Sequence, residues 1–169
     1  MALMTILTHP DPRLRVKARP VTDFGPALQT LVADLFETMY AAPGVGLAAT
    51  QVGVDLRVAV MDCAREPDQR EPLVMVNPEI HAACERTEMD EGCLSVPEAS
   101  EKVQRYNRLT LKALDQHGKP YELPAEGLLA QAIQHEIDHL DGKLYIDYLS
   151  SLKRERINKK LAKLARRAA

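Results

Sequence analysis

One helical segment constrains this chain more than any other, because it carries His135-Glu136-Ile137-Asp138-His139 within an apolar stretch. On an α-helix, residues four apart lie on the same face, one turn apart, so both imidazoles can bind one metal ion. Glu136 directly follows the first histidine and can reach a water on that metal without being a ligand. The pattern therefore predicts a helix that carries a metal-dependent hydrolytic site.

Apolar residues around the motif recur at helical spacing, at Leu128, Leu129, Ala132, Ile133, Ile137 and Leu140. This periodicity predicts a mostly buried helix that starts near Glu126 and ends by Gly142. At about 100° per residue, Leu128, Gln131 and Ala132 lie on the histidine side, where they would line the cavity that the metal faces. The five-residue pattern also occurs by chance, and the alternative is a helix with two solvated or core histidines.

The length and composition predict one soluble globular domain over residues 1–169, with a formal net charge of −2. The apolar run at residues 2–7 is too short for an export signal, and no run approaches the roughly 20 apolar residues of a membrane span. An odd number of widely spaced cysteines argues against a disulfide framework and fits a reducing compartment; they are Cys63, Cys84 and Cys93. We expect the protein to be cytoplasmic and not to bind membranes.

Periodicity and turn residues predict the other elements. A short strand is expected at residues 3–7, and a helix capped by Asp23, with Pro26 in its first turn, should end near Ala41 and Ala42. Further strands are predicted at residues 57–62, 73–77, 109–114 and 121–123, with a surface loop at residues 64–71 and a turn at residues 116–118.

The final segment, about residues 150–169, is predicted to be a basic helix. Residues 151–169 contain eight Lys or Arg and one Glu, while Ile157, Leu161, Leu164 and Ala168 cluster on one side. The basic side is either a solvated surface or an electrostatic tether to an anionic partner such as ribosomal RNA. DNA is not an expected partner.

The two histidines leave a catalytic metal one protein ligand short of the usual three. A metallopeptidase pattern with a third histidine after Gly142 fails, because position 145 is Tyr145. Downstream carboxylates are another known solution, but only Asp147 and Glu155 remain. Cys93 is the better candidate, since a thiolate with two imidazoles forms a compact site and Gly92 lets the loop close on the ion.

Three motifs in this order resemble the bacterial type of peptide deformylase: Gly44–Gln51 (GVGLAATQ), Glu91–Ser95 (EGCLS) and Gln134–His139 (QHEIDH). The resemblance covers essentially the whole chain. It implies an enzyme that removes the N-formyl group from the initiator methionine of nascent polypeptides and releases formate. It also implies an α+β fold, with mainly antiparallel sheets around the central metal-binding helix and a C-terminal helix.

The resemblance further implies roles for individual residues. Cys93, His135 and His139 would bind Fe(II), or Zn, Ni or Co in its place. Glu136 would act as general acid and base on a metal-bound water, and the Gln51 amide and Leu94 backbone N–H would stabilise the developing oxyanion. Gly46 would contact the substrate backbone. The pocket for the methionine side chain would use Val45, Met89, Leu128, Gln131 and Ala132.

Two positions depart from the family pattern. Gln131 is polar where similar enzymes often have an aliphatic residue, and Ser100 stands where many bacterial members have Arg. Asp138 is expected to pair with Arg105, either as a brace for the metal-binding helix or as a plain surface salt bridge.

Two rival functions stay open from the sequence. A metalloprotease that cleaves internal peptide bonds would need an extended cleft and its usual third ligand. A structural metal domain or ribosome-binding module would use a closed site with a fourth protein ligand, and it would not need Glu136.

Overall fold

The computed structural model describes residues 2–64, 66 and 68–168. The strands are β1 (Gly46–Ala48), β2 (Val58–Asp62), β3 (Pro72–Cys93), β4 (Val96–Leu114) and β5 (Pro120–Glu126). The helices are α1 (Pro26–Ala41), α2 (Leu128–Leu140) and α3 (Ser151–Ala168), with short 3-10 turns at Pro12–Arg15, Ala49–Val52 and Tyr145–Tyr148. Over this described part of the chain, no helix is both long and apolar enough to cross a membrane.

The five strands form one antiparallel sheet in chain order, β1-β2-β3-β4-β5. The first part of β3 pairs with β2, and beyond Val76 the strand pairs with β4 alone. Register shifts interrupt the β3–β4 ladder at three places, the last between Gly92 and Cys93. Such shifts bend a strand and redirect side chains, and this one lies at the predicted thiolate ligand.

Helix α2 packs one face into the main hydrophobic core. Ala130, Ile133 and Leu140 are fully buried there, against Met75 of β3 and Leu111 of β4. Helix α1 packs on a second hydrophobic cluster, and α3 packs on a third. Because its apolar face is anchored in the core, α2 presents its histidine face in a fixed direction.

The antiparallel sheet with its three helices confirms the α+β fold, and α2 and α3 confirm the predicted metal-motif and C-terminal helices. Helix α1 ends where the sequence predicts, and Pro26 is its first residue. The predicted cap is wrong, because the N-cap residue is Gly25 without a side-chain cap, and the Asp23 carboxylate accepts only from Gly25 N. The segment expected as a strand at residues 3–7 is irregular, and that prediction is wrong. Its extended chain is held instead by single contacts, such as the hydrogen bond from Leu7 N to the Gln51 carbonyl.

The predicted strands at 73–77 and 109–114 are only parts of β3 and β4. Residues 79–90 of β3 are all partly or fully exposed. This part of the strand therefore lacks the alternation of apolar and polar residues that predicts a strand. The loop at residues 64–71 contains no helix or strand where the structure describes it, and Arg65 and Pro67 lie outside the described residues.

Gly142 ends the turn after α2 with φ +77°, and a Cβ there would lie 2.5 Å from the carbonyl oxygen of Arg15. Gly118 has a similar φ of +82°, but its Cβ would make an ordinary 3.5 Å contact with Phe24. We therefore expect Gly118→Ala to lower the free energy of unfolding by about 1–2 kcal/mol through backbone strain. Gly142→Ala should lower the free energy of unfolding by about 1–3 kcal/mol more than Gly118→Ala does, because the Arg15 backbone atoms that its Cβ would meet cannot move aside. Urea-induced unfolding of both variants measures the difference, and equal losses would contradict the steric argument.

Candidate metal centre

The three predicted metal ligands come together at the end of β3 and on one face of α2. The Cys93 Sγ lies 3.3 Å from His139 Nε2, and the two Nε2 atoms of His135 and His139 are 3.1 Å apart. All three donor atoms lie within 4.8 Å of one another. Within the described ranges of the chain, no other group of His, Cys, Asp and Glu side chains has this geometry.

This donor set fits a divalent transition metal. With metal bonds of about 2.0–2.3 Å, a tetrahedral ion holds its ligand atoms roughly 3.3–3.7 Å apart, so small side-chain shifts suffice. Thiolate and imidazole are the donors that suit zinc and iron. Three protein ligands leave one coordination position open, which is the arrangement of a catalytic rather than a structural site.

Glu91 orients the first histidine. Its Oε2 lies 2.9 Å from His135 Nδ1, and because a carboxylate can only accept, Nδ1 carries the proton and Nε2 is left for the metal. The Glu91 side chain is only 3% exposed. Burial opposes its ionisation, but hydrogen bonds from His135 and Arg105 outweigh burial and lower the pKa of Glu91 to about 2. The carboxylate is therefore charged at neutral pH.

Arg105 is the buried counter-charge of this carboxylate. Its Nη2 and Nε donate to both Glu91 oxygens, at 2.5 and 3.0 Å, and its Nη1 donates to Asp138 Oδ2 at 2.7 Å. Tyr148 also donates to Asp138, at 2.9 Å. The expected pairing of Asp138 with Arg105 is thus present, and since Arg105 is 5% exposed it is not a plain surface salt bridge.

Glu136 lies beside the ligands with its carboxylate buried. Its Oε1 has no hydrogen-bond partner among the described residues, and burial raises the pKa of Glu136 to about 7. Gly46 of β1 faces it so closely that a Cβ there would lie 2.5 Å from Oε2. The glycine therefore makes the space that the carboxylate occupies. A carboxyl with a pKa near neutrality can both take up and release a proton.

Gln51 is also brought to the site, by the 3-10 turn that follows β1. Its Oε1 accepts from Ala48 N at 3.0 Å, which leaves the amide Nε2 to face Ser95 Oγ at 3.0 Å and Cys93 Sγ at 3.7 Å. Leu94 lies next to the ligand cysteine, and its side chain fills the space in front of Gly44. The Gln51 amide group therefore faces the thiolate ligand of the cluster.

A cavity of about 350 Å³ opens in front of these groups. Its lining includes Cys93, His135 and Glu136 of the candidate metal centre. It also includes the predicted pocket residues Val45, Gly46, Leu128, Gln131 and Ala132, together with Gln51 and Leu94. Met89 does not line this cavity; it is half-buried on β3, opposite Val103 of β4. Ser100 is exposed on β4 opposite Gly92.

The other sequence candidates for a third ligand have different positions. Asp147 pairs with Arg15 at 2.7 Å, and Glu155 is exposed on α3. Tyr145, which replaces a histidine ligand of the metallopeptidase pattern, packs its ring on His135 at a centroid distance of 6.4 Å. The tyrosine therefore supports the imidazole by packing.

Sequence reasoning did not assign Glu91 and Ser95. The available signal for Glu91 was its position two residues before Cys93, because alternate residues of a strand face the same side. No sequence pattern indicated that Ser95 would contact the Gln51 amide. The pairing arises because the 3-10 turn after β1 packs against the β3–β4 connection.

Fold and site together define a protein of the metallohydrolase class, with a Cys-His-His candidate metal centre beside a buried glutamate. The sequence profile of the polypeptide deformylase family matches residues 3–155. A peptide deformylase of Stutzerimonas stutzeri is 56% identical over the full length of both chains, and one of Pseudomonas aeruginosa is 54% identical over the same extent. The crystal structure of a peptide deformylase from Legionella pneumophila superposes with a TM-score of 0.94 at 53% identity, over 98% of this chain and 96% of that one.

The chain belongs to the polypeptide deformylase family. It is accordingly a metal-dependent hydrolase that removes the N-formyl group from nascent polypeptides.

Two arginines of β4 test how much the buried pair stabilises the site. Arg105→Met leaves Glu91 buried without its counter-charge, and we expect the free energy of unfolding to fall by about 3–5 kcal/mol. Arg108→Met is the matched control, because Arg108 pairs with Glu85 at 2.6 Å but is 59% exposed, so its loss should be below about 1 kcal/mol. Urea-induced unfolding compares the two, and similar losses would refute the importance of burial.

Proposed function

We propose that deformylation takes place in the 350 Å³ cavity, with the formyl group beside the candidate metal centre and the first side chain against the apolar walls. One observation carries this proposal: the cluster of Cys93, His135 and His139 lies beside the buried Glu136 carboxylate, and Cys93, His135 and Glu136 line that cavity. The remaining steps assign a role to each neighbouring group.

Cys93, His135 and His139 hold the metal, with Fe(II) as the native ion and Zn, Ni or Co as substitutes. The thiolate and the two neutral imidazoles give the bound ion a net charge of +1. When bound, the metal supplies Lewis-acid chemistry, which acidifies water and polarises the formyl carbonyl. Glu91 and Arg105 keep His135 in the tautomer that this ligand set needs.

Glu136 moves the proton. Its carboxylate accepts a proton as water attacks the formyl carbon and later donates it to the departing amine, which leaves formate and a free N-terminus. Burial supports this role, because it raises the affinity of the carboxylate for a proton. The unpartnered Oε1 is available for that transfer.

Gln51 and Leu94 stabilise the negative charge that develops on the formyl oxygen. The Gln51 amide is held by Ala48 N and Ser95 Oγ, so it needs little reorganisation during the reaction. The Leu94 backbone N–H is the second donor. Such pre-oriented donors act most strongly when water is excluded.

The methionine side chain occupies the space between Val45, Leu128, Gln131 and Ala132, and the substrate backbone runs along Gly46. Val45 and Leu128 are 42% and 48% exposed in the free chain, so covering them would stabilise the complex through the hydrophobic effect. The predicted role of Met89 would require a longer pocket than the cavity described above.

The decisive measurement is anaerobic formate release from a formyl-Met peptide by Fe(II)-loaded, chelator-stripped and Glu136→Ala protein. We expect release only from the loaded wild type, with a loss of at least about 100-fold in kcat for Glu136→Ala, because the proton acceptor is gone. The variant should still bind the metal, since Glu136 is not a ligand.

An acetyl-Met peptide and a peptide with an internal bond but no formyl group are the controls. A metal-loaded Glu136→Ala enzyme with near-normal kcat would overturn the assignment of Glu136. Cleavage of the internal bond would favour the metalloprotease alternative, and a tightly bound metal without any turnover would favour the structural one.

We further propose that the chain acts as a single cytoplasmic domain that reaches its substrates at the ribosome through α3. Apart from Ile157, Leu161 and the half-buried Leu164, the residues of α3 are exposed. Lys153 pairs with Glu101 and Lys160 contacts the Glu98 carbonyl. The other six basic side chains of α3 form no ion pair within the described chain. They are therefore available to bind phosphate groups of ribosomal RNA.

Replacement of Lys159, Lys163 and Arg166 by Glu should abolish most co-sedimentation with ribosomes without changing formate release from a short peptide. The control replaces three exposed lysines outside α3, Lys17, Lys119 and Lys143, by Glu. It alters the net charge equally, so equal losses from both variants would show that net charge alone acts.

A further inference from the structure

Gln131 ties the wall of the cavity to the end of β3. Its Nε2 donates to the Asp90 carbonyl oxygen at 2.6 Å and lies 3.4 Å from Glu91 Oε1. A carbonyl and an ionised carboxylate can only accept hydrogen bonds, so the NH₂ end of the amide must face them. The orientation of this side chain is therefore fixed by its neighbours.

The same Glu91 carboxylate holds the metal-binding imidazole. Glu91 Oε1 faces Gln131, while Glu91 Oε2 accepts from His135 Nδ1 at 2.9 Å. A residue of the cavity wall is thus connected through one carboxylate to a residue of the metal cluster. Leu128 and Ala132, the other α2 residues of this wall, have no polar side-chain atoms.

While the cavity is open, the hydrogen bond from Gln131 to the Asp90 carbonyl is exposed to solvent, whereas Glu91 itself is buried. Asp90, Glu91 and Gln131 all line the cavity, and Gln131 is half-buried. An apolar side chain that fills the cavity would cover the Gln131 amide and exclude competing water. Hydrogen bonds of an ionised acceptor become stronger when the local dielectric falls.

We propose that Gln131 is a positioning residue that couples filling of the cavity by the first side chain of the substrate to the orientation of His135, through Glu91. This inference rests on the proposed function. A long apolar side chain then strengthens the hydrogen bond from Gln131 to Glu91 when it binds. Glu91 in turn restricts the orientation of the His135 imidazole more strongly. The benefit appears in kcat as well as in KM.

The alternative is that Gln131 only lines the cavity and has no influence on His135. Gln131→Met separates the two possibilities, because methionine keeps nearly the same length and volume and removes the NH₂ donor. A change of wall polarity alone alters binding and therefore KM. Loss of the coupling lowers kcat for the large side chain more than for the small one.

The experiment measures kcat and KM for formyl-Met and formyl-Ala peptides of otherwise identical sequence. In the wild type, kcat should be higher for formyl-Met. In Gln131→Met the kcat ratio should shrink by about threefold to tenfold, the effect of one hydrogen bond. Gln104→Met makes the same chemical change at an exposed position of β4 that does not line the cavity, and it should keep the wild-type kcat ratio.

A second readout does not depend on turnover. In zinc-loaded protein with ¹⁵N-labelled histidine, the Nδ1–H resonance of His135 should shift on addition of a deformylated methionyl peptide, and much less with the alanyl peptide. Gln131→Met should lose that difference. A His135 resonance that responds equally to both peptides in the wild type would overturn the inference.

The two proposals fail differently. Wild-type protein that releases formate, together with an unchanged kcat ratio in Gln131→Met, would refute the coupling and leave deformylation intact. Wild-type protein that releases no formate would refute the proposed function, and the His135 resonance would then decide alone whether cavity filling reaches the metal cluster.

Discussion

The buried contact between Glu91 and Arg105 is the interaction on which the rest of the site depends. A carboxylate this deeply buried stays ionised only because Arg105 and His135 both donate to it. Its charge fixes the tautomer of His135, and Arg105 extends the same network to Asp138, about one turn further along α2. One ion pair therefore connects the end of β3, the middle of β4 and the metal-motif helix.

The sheet explains why these groups can meet. Glu91 and Arg105 lie on two long antiparallel strands, and the ladder near them is continuous from Arg86 to Gly92 before it shifts at Cys93. The continuous part holds the carboxylate at a defined distance from α2. The irregular end lets Cys93 turn towards the two histidines. Within residues 86–93, the regular pairing thus positions Glu91 and the irregular pairing positions Cys93.

The metal motif was predictable from sequence because its chemistry depends on local spacing. His135, Glu136 and His139 need only a helix to be brought together, and apolar periodicity indicates that helix. Cys93 is the remaining candidate for the third ligand once Tyr145, Asp147 and Glu155 are excluded, and the family resemblance implies the fold. The length of β3 and β4 could not be read in this way, because much of the hairpin is exposed and lacks alternation.

Contacts between elements distant in sequence explain why the predicted pocket residues and the residues that line the cavity differ. The predicted pocket residues on α2 do line the cavity, since their position follows from helical geometry. Met89, which only the family resemblance implied, does not line it. Gln131 shows the same limit in another form. Its polarity is visible in the sequence, but the sequence does not indicate that Asp90 and Glu91 are its partners. Those two contacts direct the amide donors of Gln131 to protein acceptors, so a polar residue at this position is compatible with the proposed apolar occupant of the cavity.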